Sequence, residues 1–433
     1  MRKVALNLGA SLAVLAAAVA APALAQTVAI TNARILTAGP AGEIASGTVV
    51  ITDGRIASVG AGGAPQGARV LDARGGVVTP GIVAVDTNIG ITEVDAVEGT
   101  DDTATHTKRL SAAFDVQYAI DSNSFVVPVA RLGGITRAVV TPGYSGDGDD
   151  DRELLFAGQA AVVQLGQGAE ILVRPGVAMV LSLGESGAAR AGGGRGAAIV
   201  ALKAALDDVR FYMRNKVGFD RGDSRDLGLS RADLEALIPV VEGRMPLLVR
   251  VDRASDIRNV LKLAREERLK VILDGAHEGW MVAGEIAAAG VPVLLNPIDN
   301  LPKDFEQRAA TMENAARLQA AGVTFAIQGN GGGHRARETR FNAGNAVAHG
   351  LAYDAAVKAI TVNPARIFGM SDRVGTLEAG KDADVVVWDG DPLEPMTRPT
   401  AIFVRGAQQP MTSRQTELRD RYLHPTDYPP AYR

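Results

Sequence analysis

The middle of this chain alternates short apolar runs with helix-length amphipathic ones, and no other feature constrains the fold as much. The apolar runs are Ile82 to Val85, Arg137 to Val140, Val177 to Val180, Leu247 to Arg250, Val271 to Leu273, Val293 to Leu295 and Phe325 to Ile327. Their lack of polar alternation marks strands covered on both faces, as in a parallel sheet. The segment Ser255 to Glu267 is a helical counterpart, with Ser255 as N-cap and Asp256 in the first turn. A further strand is expected between Ala161 and Val173, in a register the sequence does not fix. Strands and helices alternating over residues 78–370 predict an α/β fold, a (β/α)8 TIM-type barrel.

The two ends read differently. Residues 26–77 hold short β-rich runs, among them Thr48 to Ile51 and Ile56 to Val59, joined by the hairpin-type turn Thr52-Asp53-Gly54-Arg55. The same signature returns within 371–407, in Ala383 to Trp388 and Ala401 to Val404. A small β-sandwich domain formed from both chain ends is therefore expected, followed by an irregular tail over 408–433.

Arg2 and Lys3, the nearly apolar run Val4 to Val19 and the small-residue pattern Ala23-Leu24-Ala25 read as a signal peptide over residues 1–25. Cleavage after Ala25 would send the protein to a periplasm or outside the cell. No later run reaches the roughly 18 apolar residues of a membrane span. The chain has no cysteine, which removes disulfides, thiolate metal ligands and a Cys nucleophile. With Lys+Arg 45 against Asp+Glu 49, there is no basic excess to neutralise a nucleic-acid backbone.

Three stretches carry a resemblance to a known family. They are DARGGVVTPGIVAVDTNIG at 72–90, the paired strands and their loops over 247–297, and TVNPARIFGMSDRVGTLEAGKDADVVVWDGD at 361–391. Together they resemble the amidohydrolase superfamily, in particular its exported imidazolonepropionase-like branch. The resemblance implies a barrel whose C-terminal mouth holds one or two divalent metals through imidazoles and a carboxylate, leaving a position open for hydroxide.

The residues at those places are of other kinds. Asp86-Thr87-Asn88 stands where the resemblance places a His-x-His pair, and Arg250 where it places the next His, with Asp252 two residues on. Gly275 takes the place of a further His, His277 follows two residues late, and Asn330 takes the place of the carboxylate that accepts the water proton. Glycine offers no ligand, an Asn amide does not titrate as a base, and arginine stays protonated. Strand periodicity puts Asp86 with Asn88, and Arg250 with Asp252, on shared faces. The mouth is thus expected to gather Asp86, Asp252, Asp274 and Arg250, the guanidinium replacing the missing positive charge.

The candidate catalytic residues are Asp86, Asp252, Asp274 and His277; the candidate binding residues are Asn88, Arg250, Asn330 and His334. No metal is expected. Zn2+ enters only if the chain is an active enzyme, with Asp86, Asp252 and His277 as the candidate ligands. His334, beside Arg335 and Arg337 after the GNGGG run, would cradle an anion or sit on a solvated loop. His349 reads as structural, and His106 and His424 belong to no constellation. The acidic run Asp147 to Glu153 reads as a solvated loop, and the Gly-rich segment Gly184 to Gly196 as a mobile one. Two functions follow. One is a non-catalytic homologue that binds a small molecule or partners an active amidohydrolase paralogue. The other is a hydrolase of C–N bonds with a rearranged or single-metal site.

Overall fold

The computed structural model of the chain describes residues 27–105, 107, 110–144, 155–299 and 302–423. The expected signal peptide, the acidic run Asp147 to Glu153, His106 and His424 lie outside them. Among the described residues no helix is long and apolar enough to cross a membrane.

Eight strands form the barrel: β6 (Ile82–Thr87), β7 (Ile135–Val140), β8 (Phe156–Gln164), β9 (Leu172–Ser182), β10 (Leu247–Val251), β11 (Val271–Gly275), β12 (Val293–Leu295) and β13 (Phe325–Ile327). Their order around the sheet is their order in sequence. The expectation of uniform β/α alternation needs one correction. β8 runs antiparallel to both β7 and β9. Only residues 165–171 separate β8 from β9, too short for the crossover that a parallel pair requires, so a hairpin forms instead. The further strand expected between Ala161 and Val173 lies earlier, as β8, and most of that stretch is the 165–171 turn.

Inside, Val83, Val85, Val180, Leu248, Ile272 and Leu294 pack in one cluster, closed from below by Phe368 and Met370. β13 and β6 are not joined by a ladder. At the base of this seam Val83 N donates to the Ile360 carbonyl at 2.9 Å, and Asn363 Nδ2 donates to the Phe325 carbonyl at 2.9 Å. Buried backbone groups that a ladder would have paired are thus satisfied by the segment entering the last barrel helix, Val362–Ile367.

The small domain draws on both ends, from β1 (Val28–Leu36), β2 (Glu43–Thr52), β3 (Arg55–Gly60), β4 (Arg69–Asp72) and β5 (Val77–Pro80) through β14 (Val385–Trp388), β15 (Pro399–Val404) and β16 (Ala407–Gln408). These hydrogen-bond into one continuous sheet. It curls on itself, with Ile56 N donating to the Lys381 carbonyl and Val49, Ile51, Val385 and Phe403 sharing one core. β14 lies between β5 and β15, so the returning chain is central to the sheet.

Two contacts lock this sheet to the barrel. Arg137 of β7, buried, donates through Nε to Asp384 at 2.7 Å and through Nη2 to Asp382 at 3.2 Å. The Trp388 ring lies over Gly134, where a Cβ would come within 2.4 Å of it and the backbone has φ +88°. The Lys-Asp-Ala-Asp step of the closing segment therefore has a physical role: it supplies the counter-charges of a guanidinium with no water to turn to.

Three local expectations are corrected. The Gly-rich segment is ordered: Glu185–Arg190 is a helix, Gly192 and Gly193 turn at positive φ, and Arg195–Arg221 begins a long helix. Arg195 anchors it through Asp256 at 3.1 Å and Glu306 at 2.8 Å. The helix after β10 starts at Ala254, one residue before Ser255, and its first N–H is accepted by the distant Glu278 Oε2 at 3.0 Å. The tail is partly helical: Arg414–Leu423 is an exposed helix preceded by Ser413, whose Oγ accepts from Thr416 N.

Truncation after Gly380 removes β14 to β16 together with Asp382 and Asp384. The expected outcome is insoluble protein, because the β5 edge opens and Arg137 is left buried without a partner. A soluble monomer of that length in size-exclusion chromatography would sink this account of the assembly.

Candidate functional site at the barrel mouth

β10 and β11 pair in register, with Arg250 beside Asp274 and Val251 beside Gly275. Leu248 and Ile272 face the interior, so Arg250 and Asp274, two residues on, face it one layer higher. The Arg250 guanidinium lies between two carboxylates. Nε donates to Asp274 Oδ2 at 3.3 Å and Nη2 to Asp86 Oδ1 at 3.1 Å, with the Pro142 carbonyl at 3.4 Å from Nη2. Thr141 Oγ1 donates to the same Asp86 oxygen at 2.6 Å, and Gln328 Nε2 donates to Asp274 Oδ1 at 2.5 Å.

Asp86 reaches this position by breaking the strand. Its φ is +51°, and the β6–β7 register shifts between Ala84 and Thr87. Aspartate tolerates the left-handed region better than most residues. Asp86 and Asn88 therefore do not share a strand face, contrary to the periodicity argument. Asn88 Oδ1 is buried without a hydrogen-bond partner among the described residues, and a Cβ at Gly333 would lie 3.1 Å from it.

A second cluster stands just beyond the strand ends. Asp252 Oδ1 meets His277 Nδ1 at 2.6 Å, and Asp252 Oδ2 accepts from Gln307 Nε2 at 3.2 Å. His277 Nε2 is buried, 3.6 Å from Asp299 Oδ2 and without a hydrogen bond among the described residues; Gln307 Oε1 is likewise unpartnered. Arg250 and Asp252 thus serve different clusters, because Asp252 follows the end of β10 and turns to His277. Gly275 accounts for the room: its φ is +93°, and a Cβ there would fall 2.3 Å from Asp252 Oδ1. A side chain at 275 and the Asp252–His277 pair cannot coexist in this geometry.

The other two candidates go elsewhere. Asn330 is committed to an amide network, donating to Glu338 at 2.6 Å and accepting from Asn296 and Asn342 at 3.0 Å each. His334 is 43% exposed, with Nδ1 3.4 Å from Asp95, and makes no contact with the Arg250 cluster. His349 lies at a helix end with Nδ1 2.8 Å from the Asn345 carbonyl. Sequence reasoning missed Thr141, Gln328, Gln307 and Asp299. Of these only Gln328 carried a signal, as the polar residue immediately after the Phe325 to Ile327 run.

The electrostatics follow from burial and sharing. Burial opposes the Arg250 charge, yet Asp86 and Asp274 together raise its pKa above that of a free guanidinium. Asp274 is nonetheless pushed up to about 7, because burial and the Asp86 charge outweigh the help of Arg250 and Gln328. The guanidinium charge is secure, and the proton exchanged near neutrality belongs to the carboxyl side of the pair. Burial also opposes a charged His277, but Asp252 and then Asp299 raise its pKa. Asp252 is held below its ordinary value despite burial, through His277 and Gln307.

This donor set does not suit a divalent cation. Asp86 and Asp274 are already turned onto a fixed positive charge, which a metal between them would have to face. Gly275 has no donor and no space for one. Among the described residues no three His, Asp or Glu side chains converge as ligands would.

Residues 273–412 match the model of the amidohydrolase family. The whole fold is similar to that of an amidohydrolase from Thermotoga maritima, with TM-score 0.77 and 21% identity, over 88% of this chain and 99% of that one. The fold is the one those amidohydrolase structures share. A molinate hydrolase structure is similar at TM-score 0.56 and 18% identity, over 89% of this chain and 95% of that one; at such identities the likeness concerns the fold. Among curated relatives, the amidohydrolase tasK of Hapsidospora irregularis is 23% identical over 80% of this chain, and an imidazolonepropionase of Mesorhizobium japonicum is 37% identical over 15% of it. The aligned parts span 37% and 14% of those relatives' own lengths.

Two outcomes are expected of this barrel mouth. A carboxyl with a raised folded pKa binds its proton more tightly folded than unfolded, so its contribution to stability falls as pH rises from about 4 through 7. A raised imidazole contributes fully below about 6.5 and loses that contribution as pH rises through its folded value. Both act in the same direction, so the thermal midpoint should be lower at pH 8.5 than at pH 5.5. Asp274→Asn should shrink that difference; an unchanged difference counts against the assignment. Arg250→Met should lower unfolding free energy by about 3 kcal/mol at pH 8.5, where Asp274 ionises without its partner, and by less at pH 5.5. Urea unfolding at the two pH values measures both.

Proposed function

We propose that this chain binds a small molecule at its barrel mouth and carries out no metal-hydroxide hydrolysis, the Arg250 guanidinium standing where the family resemblance places a metal. One observation carries the reading: Arg250 bonds Asp274 at 3.3 Å and Asp86 at 3.1 Å at once. The mouth keeps its charge balance with a cation that cannot accept a water ligand or acidify one. Asn88 Oδ1, His277 Nε2 and Gln307 Oε1 are buried without a hydrogen-bond partner among the described residues. Such groups are costly unless a ligand or water satisfies them, which favours a binding pocket over a filled one. The proposed setting is an exported protein cut after Ala25, working alone on its ligand or beside an active amidohydrolase paralogue.

A second reading has its own observation. Asp252 fixes His277 Nδ1 at 2.6 Å and leaves Nε2 free for a proton or a single metal, as in a hydrolase with a rearranged site. The flanking carboxylates of Asp252 and Asp299 weigh against it, since they favour the protonated ring over the neutral one that a metal or a proton would need.

Metal analysis of the purified mature protein decides between them. Zinc well below one per chain, with a thermal midpoint that neither chelator nor added zinc moves, is the expected result. Near-stoichiometric zinc, with amide hydrolysis lost on chelation, would overturn the binding reading and restore the hydrolase. N-terminal sequencing of the exported protein should begin at Gln26.

A further inference from the structure

The closed end of the barrel, opposite the mouth, holds a cavity of about 460 Å³ at the N-terminal ends of β9 to β12. Arg174, Arg244, Lys270 and Arg366 line it, and none of its lining residues is acidic. The chain as a whole carries net charge -4, so this concentration of cations is local. Arg174 is oriented by Nη1 donating to the Gly369 carbonyl at 3.1 Å. Arg244 pairs with Glu242, which lies outside the cavity lining. The side chains of Lys270 and Arg366 make no hydrogen bond or ion pair with any described residue. Val177, Ile272, Val291 and Phe368 supply an apolar part of the same wall.

Four like charges around one space repel one another, and among the described residues only Arg244 has an acidic partner. Guanidinium forks and an ammonium together suit oxyanions with several acceptor oxygens. We propose that this cavity is a binding site for a ligand bearing phosphate-type multiple negative charge, a phosphate ester whose apolar part lies on the Val177–Phe368 wall. The site stands on the far side of the barrel core from Arg250 and is independent of what happens at the mouth. Its volume is in the range of pockets that hold small ligands.

The probe is inorganic pyrophosphate, titrated into the full mature chain by calorimetry at low and at physiological salt. The parent should bind it, more weakly as salt rises. Lys270→Gln with Arg366→Gln should weaken binding by about tenfold or more without lowering the thermal midpoint, because both side chains are exposed and their removal relieves repulsion. Lys216→Gln with Arg231→Gln, which removes the same charge from a distant surface, should bind as the parent does. No binding by the parent, or equal weakening in both double variants, would overturn the site. So would association with vesicles containing anionic phospholipid in the absence of any affinity for pyrophosphate, since that points to a membrane surface and not to a soluble phosphate ligand.

Discussion

The mouth of this barrel is organised by one shared positive charge. Asp86 and Asp274 are brought to the same place by strands far apart in sequence, and a half-buried and a buried carboxylate so placed would repel each other unless a cation stood between them. Arg250 is that cation, and its donors run to both. The remaining polar contacts are arranged around this fact. Thr141 and Gln328 each spend a donor on a carboxylate oxygen that the guanidinium leaves incompletely satisfied. The charge does not balance fully, so Asp274 holds its proton to about neutral pH.

The upper cluster obeys the same logic with a weaker cation. His277 is held on Asp252, and Gln307 reaches Asp252 from the segment that crosses above the strands. That segment is tied down again by Glu306 to Arg195, by Ala309 N to Glu278 and by the Trp280 indole to the Ala309 carbonyl. The Ala-His-Glu-Gly-Trp sequence after β11 thus does more than carry a histidine. Its Glu and Trp fix the cover, and its His fixes the carboxylate beneath it. A fold widely used for hydrolysis here positions charged groups that pair with each other.

Much of this was legible in the sequence, for identifiable reasons. Apolar runs buried on both faces gave the barrel strands, and the returning β signature gave the mixed sheet, because both patterns depend on local composition alone. Arg250, Asp86 and Asp274 were legible because the family resemblance places their positions at the mouth, whereas the period-two pairings of Asp86 with Asn88 and of Arg250 with Asp252 do not hold. The failures arise where the backbone leaves that period. Asp86 turns at positive φ, Asp252 lies past the strand end, and β8 reverses direction because its connection to β9 is short. Gln307 and Asp299 come from an irregular segment with no periodicity to read. Gly275 looked like a missing ligand, whereas its lack of a side chain is what admits the Asp252–His277 pair.

The unladdered seam between β13 and β6 makes the barrel a split ring, clasped at two heights. Ile360 and Asn363 form the lower clasp. The upper clasp is the charge cluster itself, since Asp86 belongs to β6 and Gln328 follows β13, and both close through Arg250 and Asp274. The side chain that sets the electrostatics of the mouth also sets its girth. Anything that drew Arg250 away from either carboxylate would loosen the ring at its rim, so the charge state of the mouth and its width are coupled by a single residue.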